Sequence, residues 1–307
     1  MTEVIVVGGG VIGLTAAVRL QQRGADVTVW TADPPSETVS AVAGAVWYPT
    51  RTEEDPRVLR WATETYAEFL RQIEAGVPGT LLRRTRNLLR HRIDVLPWWA
   101  PAAGQVDLRD AGGPYTKEVV FMAPMAEMGT YLAWLAQQTR KIRTKRVYAL
   151  SEAYAPVVVN ATGLNAGRLC HDGNIRAARG HVVVVENPGL DESVRDEEDP
   201  RGVTYVHPRS RDVVLGGSFQ LGRDDTGPDP AEARAIVERC TELVPRLAGA
   251  RILGERIGLR PTRRGGPRVE REDLPDGRRI VHAYGHGGAG MTLAWGCADE
   301  VARLALD

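Results

Sequence analysis

The sequence predicts an α/β fold in which a Rossmann-like domain is interleaved with a domain built on a mixed, largely antiparallel β-sheet. The first observation is an apolar, β-branched run at residues 4–7, which precedes a glycine-rich turn and a helical pattern. The second is a set of short valine-rich runs between residues 182 and 215, separated by proline, glycine and charged residues. The third is a return to a glycine-rich turn and a helical pattern after residue 283. An α/β start, a β-rich middle and an α/β end indicate interleaving rather than two consecutive domains.

The composition is that of an ordinary globular protein and argues against several classes of function. The 307 residues are enough for two domains, and 43% are hydrophobic and 25% charged. Lys+Arg and Asp+Glu number 39 each, so neither a nucleic-acid partner nor an anionic membrane is expected. The cysteines Cys170, Cys240 and Cys297 are widely spaced and form no CxxC pair, which argues against a disulfide framework or a metal site. We expect a cytoplasmic protein, because free cysteines fit a reducing compartment and no apolar run reaches the ~18 residues of a membrane span.

Residues 8–13 carry a pattern typical of dinucleotide binding. They are Gly-Gly-Gly-Val-Ile-Gly and fit G-x-G-x-x-G between a predicted strand and a predicted helix. Gly8 permits the tight turn, Gly10 lets a pyrophosphate approach the backbone, and Gly13 allows close packing of helix on strand. The pyrophosphate would lie at the helix N-terminus, beside Gly10, Val11 and Ile12. The motif does not distinguish NAD from FAD.

The acidic residue that often binds the adenosine ribose is missing from its usual place at the end of the second strand. Thr31 stands there, and the nearest carboxylate is that of Asp33. Asp33 could bind the ribose hydroxyls or cap a turn, and the sequence favours neither role.

Other elements follow from periodicity and turn signals. Apolar spacing predicts helices at residues 56–76, 132–139 and 230–247. Residues 157–163 form a β-run that ends in a glycine turn, and the acidic stretch 191–200 is expected to be a solvated loop.

Two further segments indicate a flavin site. Asn160-Ala161-Thr162-Gly163 follows a buried β-run, a pattern common in flavoproteins with a dinucleotide-binding fold. Residues 283–292 hold four glycines ahead of a helix and so form a second helix N-terminus suited to negative charge. In a flavoenzyme this terminus would stabilise the charge that appears on the reduced flavin. His286 in this turn could be catalytic or could hold the backbone through hydrogen bonds, and we favour the second.

Arg260 is the candidate for substrate binding. It precedes Pro261, which biases it to an extended conformation suited to pointing a side chain into a cleft. A guanidinium can pair with a carboxylate through two parallel hydrogen bonds. In a chain with so many arginines a surface position is the alternative, and the resemblance described next supports the cleft.

Taken together, these segments resemble the D-amino-acid oxidase family, including D-aspartate oxidase, over nearly the whole chain. The most distinctive matches are residues 258–261 (Gly-Leu-Arg-Pro) and 284–288 (Tyr-Gly-His-Gly-Gly), and residues 43–49, 160–163 and 215–220 also match. The resemblance implies an FAD-dependent oxidoreductase that converts D-amino acids and oxygen to 2-oxo acids, ammonia and hydrogen peroxide. FAD is expected without a covalent bond, because the matched segments hold no obvious Cys or His tether.

The resemblance also implies roles for individual residues. Arg260 and Tyr205 would bind the substrate α-carboxylate, and the carbonyl of Gly288 would accept from the substrate amino group. No side chain is assigned to acid–base catalysis, so the protein would act by orientation and electrostatics. The residues expected to contact FAD are Gly8, Gly10, Val11, Ile12, Gly13, Asp33, Gly44, Ala45, Val147, Thr162, Gly287, Gly288, Gly290, Met291 and Thr292.

The domain division and the substrate range are expectations of the same kind. The Rossmann-like FAD-binding domain would comprise residues 1–50, 120–177 and 250–307, and the substrate-binding domain residues 51–119 and 178–249. Neutral D-amino acids are the expected substrates, because no charge is evidently committed to the side-chain pocket. The alternatives are a glycine- or sarcosine-type oxidase, a D-aspartate oxidase, or a flavin-binding protein without activity. A homodimer is a further possibility.

Two departures from the family pattern put the substrate range in question. Mammalian members carry a mobile lid tyrosine just before the position of Tyr205, whereas residues 191–201 hold no tyrosine. Ala289 replaces an aromatic residue seen in some relatives. Whether residues 191–201 act as a lid is left open. For an acidic substrate, His207, Arg209 and Arg211 are near enough in sequence to Tyr205 to meet a second carboxylate.

Overall fold

The computed structural model describes residues 1–49, 52 and 54–307. In chain order its strands are β1 (Glu3–Val7), β2 (Asp26–Thr31), β3 (Thr80–Leu89), β4 (Val106–Asp110), β5 (Lys117–Ala126), β6 (Ile142–Thr144), β7 (Val157–Asn160), β8 (Ile175–Glu186), β9 (Glu192–Asp196), β10 (Thr204–Pro208), β11 (Asp212–Gly216), β12 (Gln220–Leu221), β13 (Ile252–Arg263), β14 (Arg268–Asp273) and β15 (Arg279–Tyr284). Its α-helices are α1 (Val11–Gln22), α2 (Pro56–Glu74), α3 (Met128–Gln138), α4 (Asn165–Leu169), α5 (Pro230–Leu243) and α6 (Gly290–Leu306).

The first sheet has six strands in the order β14-β15-β7-β1-β2-β6. All of them run parallel except β14, which joins β15 as an antiparallel edge strand. The central strands β1 and β7 are buried, which explains their near-continuous valine and isoleucine. Strands β1, β7 and β15 end side by side, and ligands of open α/β sheets bind beyond such carboxyl ends.

Helix α6 packs against both α1 and α2 beside this sheet. The α2 helix begins at Pro56. The preceding Asp55 is its N-cap, and its carboxylate accepts a hydrogen bond from the backbone N–H of Arg57 in the first turn. An aspartate N-cap followed by proline is a favourable helix start. Its apolar stripe includes the fully buried Trp61. A methyl group on Gly296 would overlap the backbone of Trp61, so this glycine permits the close approach of α6 to α2.

The second sheet follows the order β12-β8-β11-β10-β9-β3-β5-β4, and β13 pairs along β8. It is antiparallel except where β3 runs parallel to β9. Alternate residues face opposite ways: Val206 and Leu215 pack in a core with Ile236 of α5, whereas Tyr205 and Val214 form a separate cluster on the other face. The mixed α/β fold with parallel and antiparallel sheets therefore confirms the predicted fold class.

The helices predicted at 56–76, 132–139 and 230–247 correspond to α2, α3 and α5. The α3 helix starts earlier, at Met128, and α5 ends at Leu243 before a separate 3-10 turn. No helix among the described residues combines the length and apolar character needed to cross a bilayer.

The expectation of a solvated loop at residues 191–200 is wrong. Residues 192–196 form β9, which pairs with β10 on one side and β3 on the other and is largely buried. The carboxylate of Asp196 is almost fully buried and accepts from Arg90 Nη2 at 2.6 Å and from the Tyr115 hydroxyl at 3.0 Å. These partners come from distant parts of the chain and compensate the buried charge of Asp196. This compensation allows an acidic segment to lie inside a sheet.

Two strands near the expected domain boundaries belong to the second sheet. Strand β5 pairs with β3 and β4, and β13 pairs with β8, although most of β5 and all of β13 were expected in the FAD-binding domain. Boundaries that follow the sheets would lie after residues 126 and 263. The division into domains itself stays a prediction.

Candidate active site

A cavity of about 1000 Å³ lies between the two sheets. One end, here called the nucleotide end, is formed by the turn after β1 and the loops after β2 and β6. The other end, here called the carboxylate end, is formed by Arg260 of β13 and Tyr205 of β10. The glycine-rich turn at residues 285–290 lines the cavity as well. The fold therefore brings the two sets of predicted site residues to one space.

The glycines of the nucleotide end have different structural roles. Gly8 has a φ of +126°, and a methyl group on it would overlap the carbonyl of Ala161. A methyl group on Gly13 would overlap the carbonyl of Gly8. A methyl group on Gly10 would meet only the Oγ atom of Ser40, at 3.1 Å. Gly8 and Gly13 are therefore required by the fold, whereas Gly10 lines the cavity and a methyl group on it would meet no backbone atom.

Ser40 also lies at the N-terminus of α1, where its Oγ atom accepts from the N–H of Val11 at 3.0 Å. It lines the cavity with Ile12 and Thr38. Ser40 was not predicted from the sequence, because it comes from a loop whose residues carry no motif and approach the turn only in the fold.

Asp33 lines the nucleotide end and forms an ion pair with Arg146 at 3.1 Å. Its backbone carbonyl accepts from the Thr31 hydroxyl at 2.6 Å. Val147 follows Arg146 and lines the same end. Asp33 thus lines the cavity together with its partner Arg146, which was not identified from the sequence.

The middle of the cavity is formed by two backbone segments that are tied together. Gly44 and Ala45 line it, and Ala45 has a φ of +50°. The Thr292 hydroxyl donates to the carbonyl of Tyr48 at 3.0 Å and lies 3.1 Å from its backbone nitrogen. This exchange joins the segment before α2 to the first turn of α6. Thr162 lines the opposite side, and its hydroxyl donates to Asn160 Oδ1 at 2.7 Å.

The glycine-rich turn ends at the N-terminus of α6, where Gly288, Gly290 and Met291 line the cavity. The N–H of Gly287 donates to the carbonyl of Pro261 at 2.9 Å, which fixes the turn beside β13. His286 is buried, and burial lowers the pKa of its imidazole to about 4. This histidine is therefore neutral at physiological pH.

At the carboxylate end, two glycines make room for the two predicted carboxylate ligands. The guanidinium of Arg260 lies against the backbone of Gly180, and the ring of Tyr205 lies against Gly216, so that a methyl group on either glycine would overlap the side chain. Arg260 Nη1 donates to the carbonyl of Ser218 at 2.9 Å. Burial raises the pKa of Tyr205, so its hydroxyl stays protonated and able to donate.

The residues suggested for an acidic substrate are separated by the fold. His207 lines the cavity and stacks on Tyr205 with ring centroids 4.4 Å apart. Burial and the nearby Arg195 hold the pKa of His207 well below its usual range. Arg209 is paired with Asp212, Arg211 is exposed, and neither lines the cavity.

The fold instead places Arg195 and Glu197 at the carboxylate end, and the sequence analysis missed both. The guanidinium of Arg195 lies 4.0 Å from the ring centroid of Tyr48. No sequence motif marks these residues. The acidic stretch that contains them was expected to be a solvated loop, so neither was considered for the site.

Comparisons with known proteins agree with this geometry. A sequence profile described as DAO, FAD dependent oxidoreductase, matches residues 3–117 and 132–304. A D-amino-acid oxidase of Rubrobacter xylanophilus is 45% identical over 320 residues, covering 99% of this chain and 96% of the relative. A D-amino-acid oxidase of Streptomyces coelicolor is 44% identical over 311 residues, covering 99% of this chain and 96% of the relative. The chain belongs to the D-amino-acid oxidase family of FAD-dependent oxidoreductases.

Other relatives lie further away. Human D-aspartate oxidase is 33% identical over 325 residues, covering 98% of this chain and 94% of the relative. Glycine oxidase from Bacillus cereus ATCC 14579 superposes with a TM-score of 0.83, 18% identity, and coverage of 99% of this chain and 94% of that chain. At this identity the structural likeness shows the shared fold alone.

The family cofactor, FAD, fits the residues that line the cavity. Neither N-terminus of α1 or α6 has a side-chain cap from its N-cap residue or an acidic residue in its first turn. Backbone N–H groups at a helix N-terminus attract anionic oxygen atoms, such as those of a pyrophosphate or a reduced flavin. The Gly10 side of the turn is also open to a pyrophosphate. The α1 terminus would thus hold the pyrophosphate, and the α6 terminus the flavin, of one FAD molecule.

Proposed function

We propose that this chain catalyses the FAD-dependent oxidation of D-amino acids by oxygen, which gives hydrogen peroxide and an imino acid that water hydrolyses to a 2-oxo acid and ammonia. The observation that carries this proposal is the position of Arg260 beside Tyr205 in the cavity that also holds the dinucleotide-binding turn. A guanidinium and a phenol form a carboxylate-binding pair. The two D-amino-acid oxidase relatives support the same reaction.

The protein's contribution is to bind and orient the substrate. Arg260 and Tyr205 hold the α-carboxylate, and the Gly288 carbonyl accepts from the amino group, so that the Cα–H bond has one orientation. FAD, when bound, supplies the two-electron chemistry. The buried histidines at the cavity, His207 and His286, are neutral, and the Tyr205 phenol stays protonated. Their lowered pKa values make both imidazoles weak bases, which fits a reaction that depends on orientation rather than on a general base.

A peroxide-coupled assay tests the proposal. The purified holoenzyme is given D-alanine, D-valine, D-phenylalanine, D-aspartate, the corresponding L-isomers, glycine and sarcosine. We expect peroxide from the D-isomers, no peroxide from the L-isomers, and weak turnover of glycine and sarcosine. Peroxide from glycine or sarcosine with higher kcat/KM than from any chiral substrate would reassign the enzyme. A yellow protein that releases no peroxide from any of these amines would be a flavin-binding protein without this activity.

We propose further that neutral D-amino acids are preferred and that the enzyme is a cytoplasmic homodimer. The ion pair of Arg195 and Glu197, which lines the carboxylate end with balanced charge, supports the first point. The free state of Cys170, Cys240 and Cys297 supports the cytoplasm. Light scattering after size-exclusion chromatography tests the dimer, whose mass should be twice 33.5 kDa. A mass of 33.5 kDa at micromolar concentration would show a monomer.

A further inference from the structure

We propose that the ion pair between Arg195 and Glu197 sets the charge preference of the substrate side-chain pocket. Glu197 masks the positive charge of Arg195, and the enzyme therefore disfavours acidic D-amino acids. This inference rests on the proposed function and names the residues that determine its substrate class.

The strand register places Arg195 on the substrate side of the second sheet. Arg195 lies directly opposite Tyr205 across β9 and β10, so both side chains leave the same face. The next residue, Asp196, leaves the other face and pairs with Arg90 outside the cavity. The guanidinium of Arg195 lies 5.8 Å from the ring centroid of Tyr205 and is only 6% exposed. It is therefore a buried positive charge beside the carboxylate end.

Glu197 supplies the counter-charge. Its Oε1 atom accepts from Arg195 Nη2, and its side chain is 24% exposed and lines the cavity. The guanidinium of Arg195 lies 4.0 Å from the ring centroid of Tyr48 and 5.8 Å from that of Tyr205. The pair thus lies between these two rings, next to the position of the α-carboxylate.

The charges at this end can be compared with those of a substrate. The other charged residues lining the cavity belong to the nucleotide end: Asp33, Glu37, Lys145, Arg146 and Arg168. At the carboxylate end the described residues leave Arg195, Glu197 and Arg260. Arg260 matches the α-carboxylate, and His207 is neutral. A substrate side chain therefore meets a balanced pair and needs no charge of its own.

An acidic side chain could reach Arg195 only by displacing Glu197 or by approaching its carboxylate. Like charges at close distance in a partly buried site repel each other strongly. Removal of the Glu197 charge would leave Arg195 buried without its counter-ion, and a second substrate carboxylate could then take that place. The same logic predicts that removal of the Arg195 charge favours basic side chains.

The test uses the FAD-loaded enzyme and measures kcat/KM for D-aspartate, D-glutamate, D-alanine and D-lysine. In Glu197→Gln we expect the ratio of D-glutamate or D-aspartate to D-alanine to rise about tenfold or more, which corresponds to ~1.4 kcal/mol. The change should come mainly through KM. In Arg195→Met we expect the ratio of D-lysine to D-alanine to rise. Glu192→Gln is the matched control: Glu192 lies on the same strand, pairs with Arg84 outside the cavity, and should leave all ratios as in wild type.

Three results would overturn the inference. The first is a ratio of acidic to neutral substrates that changes less than about twofold in Glu197→Gln when the variant keeps its FAD. The second is a gain for acidic substrates that persists in the double variant Arg195→Met/Glu197→Gln, which has no positive charge to unmask. The third is a wild-type enzyme that already prefers D-aspartate to D-alanine.

A binding measurement separates this inference from the proposed reaction. Butyrate and succinate differ by one carboxylate and can be titrated against the flavin absorbance of each variant. We expect the ratio of their Kd values to shift toward succinate in Glu197→Gln, whether or not any amine is oxidised. An unchanged ratio contradicts the masking role, whereas a shifted ratio without peroxide from any D-amino acid contradicts only the proposed reaction.

Discussion

The guanidinium of Arg260 packs against glycine backbone on one side, and Arg260 lines the cavity. Its guanidinium packs on Gly180 and donates to the Ser218 carbonyl. Removing one partner of a desolvated charge pair costs ~3–5 kcal/mol, partly because the other charge is left unpaired. In Arg260→Ala we therefore expect kcat/KM for D-amino acids to fall by roughly 10²–10⁴. Arg260→Lys should recover only part, because an ammonium cannot form two parallel hydrogen bonds.

FAD content provides the control for Arg260. It should stay near that of wild type in both variants, because the residue is assigned to the substrate. Benzoate should perturb the flavin spectrum of the wild type and not that of Arg260→Ala. Activity of Arg260→Ala within about tenfold of wild type would mean that another residue binds the carboxylate.

His286 makes the stability of the folded protein depend on pH. Burial lowers the pKa of its imidazole from 6.5 to about 4, so below pH 6.5 the unfolded chain binds a proton that the folded protein does not. The stability from the neutral imidazole is present above pH 6.5 and is lost as the pH falls toward 4. Between pH 7 and pH 5 this loss should be ~2 kcal/mol.

The measurement is urea unfolding at saturating FAD, at pH 7 and pH 5. His286→Gln should lose less stability between these pH values than wild type, because the substituted side chain does not titrate. His171→Asn replaces an exposed histidine and should retain the wild-type difference. Equal losses in all three proteins would show that His286 contributes nothing to the acid sensitivity.

Strand β8 provides the surface on which Arg260 of β13 rests, and this gives a prediction at the scale of elements. In Gly180→Ala the new methyl group would overlap the guanidinium, which can move because it is the end of a flexible side chain. We expect the fold and FAD content to persist while kcat/KM falls about tenfold, mainly through KM, because even small misplacement of a binding group is costly. Gly129→Ala, whose added methyl group has no atom within 4 Å, is the matched control. Wild-type kinetics in Gly180→Ala would show that the contact does not position Arg260.

Two substitutions in the turn between β1 and α1 should distinguish a loss of cofactor binding from a loss of folding. In Gly10→Val the added Cβ atom meets only the flexible hydroxyl of Ser40, so we expect the protein to fold while the branches fill the space required by the pyrophosphate. Gly13→Val overlaps the Gly8 carbonyl and should destabilise the fold itself. Circular dichroism and the ratio of flavin to protein absorbance distinguish these outcomes. A full flavin spectrum in Gly10→Val would show that this turn does not hold the pyrophosphate.

At the scale of the whole molecule, the cavity lies between two sheets whose strands come from interleaved segments. Binding of FAD to the native state alone should stabilise the chain by ~2.7 kcal/mol at a free concentration of 100 times Kd. We expect unfolding followed by tryptophan fluorescence and by flavin release to coincide, and the Tm to rise with FAD. Riboflavin, which lacks the pyrophosphate and adenosine, should raise the Tm less.

Acid precipitation tests whether the flavin is covalently bound. None of the cysteines lines the cavity, so the flavin should be held without a bond to sulfur. We expect a colourless pellet and a yellow supernatant. A yellow pellet would show a covalent link, and separate transitions for protein unfolding and flavin release would contradict the bridging position of FAD.

The sequence by itself determined the features whose causes are local. The strand, glycine turn and helix at residues 4–22 form one continuous stretch, and the positions of Gly8 and Gly13 are dictated by contacts within it or with Ala161 at the end of the neighbouring strand. Hydrophobic periodicity in the same way marked α2, α3 and α5, because amphipathic spacing reflects burial of one face. The roles of Arg260 and Tyr205 came from the resemblance to a family rather than from a local pattern.

Only the tertiary structure decided the features that depend on distant partners. Composition alone describes strand β9 as polar, yet it is buried, with Asp196 paired to the distant Arg90 on one face and Arg195 on the opposite face. The same strand pairing places Arg195 beside Tyr205. Charges are tolerated inside a fold when partners compensate them, and those partners are brought together by strand register, which no short stretch of sequence contains.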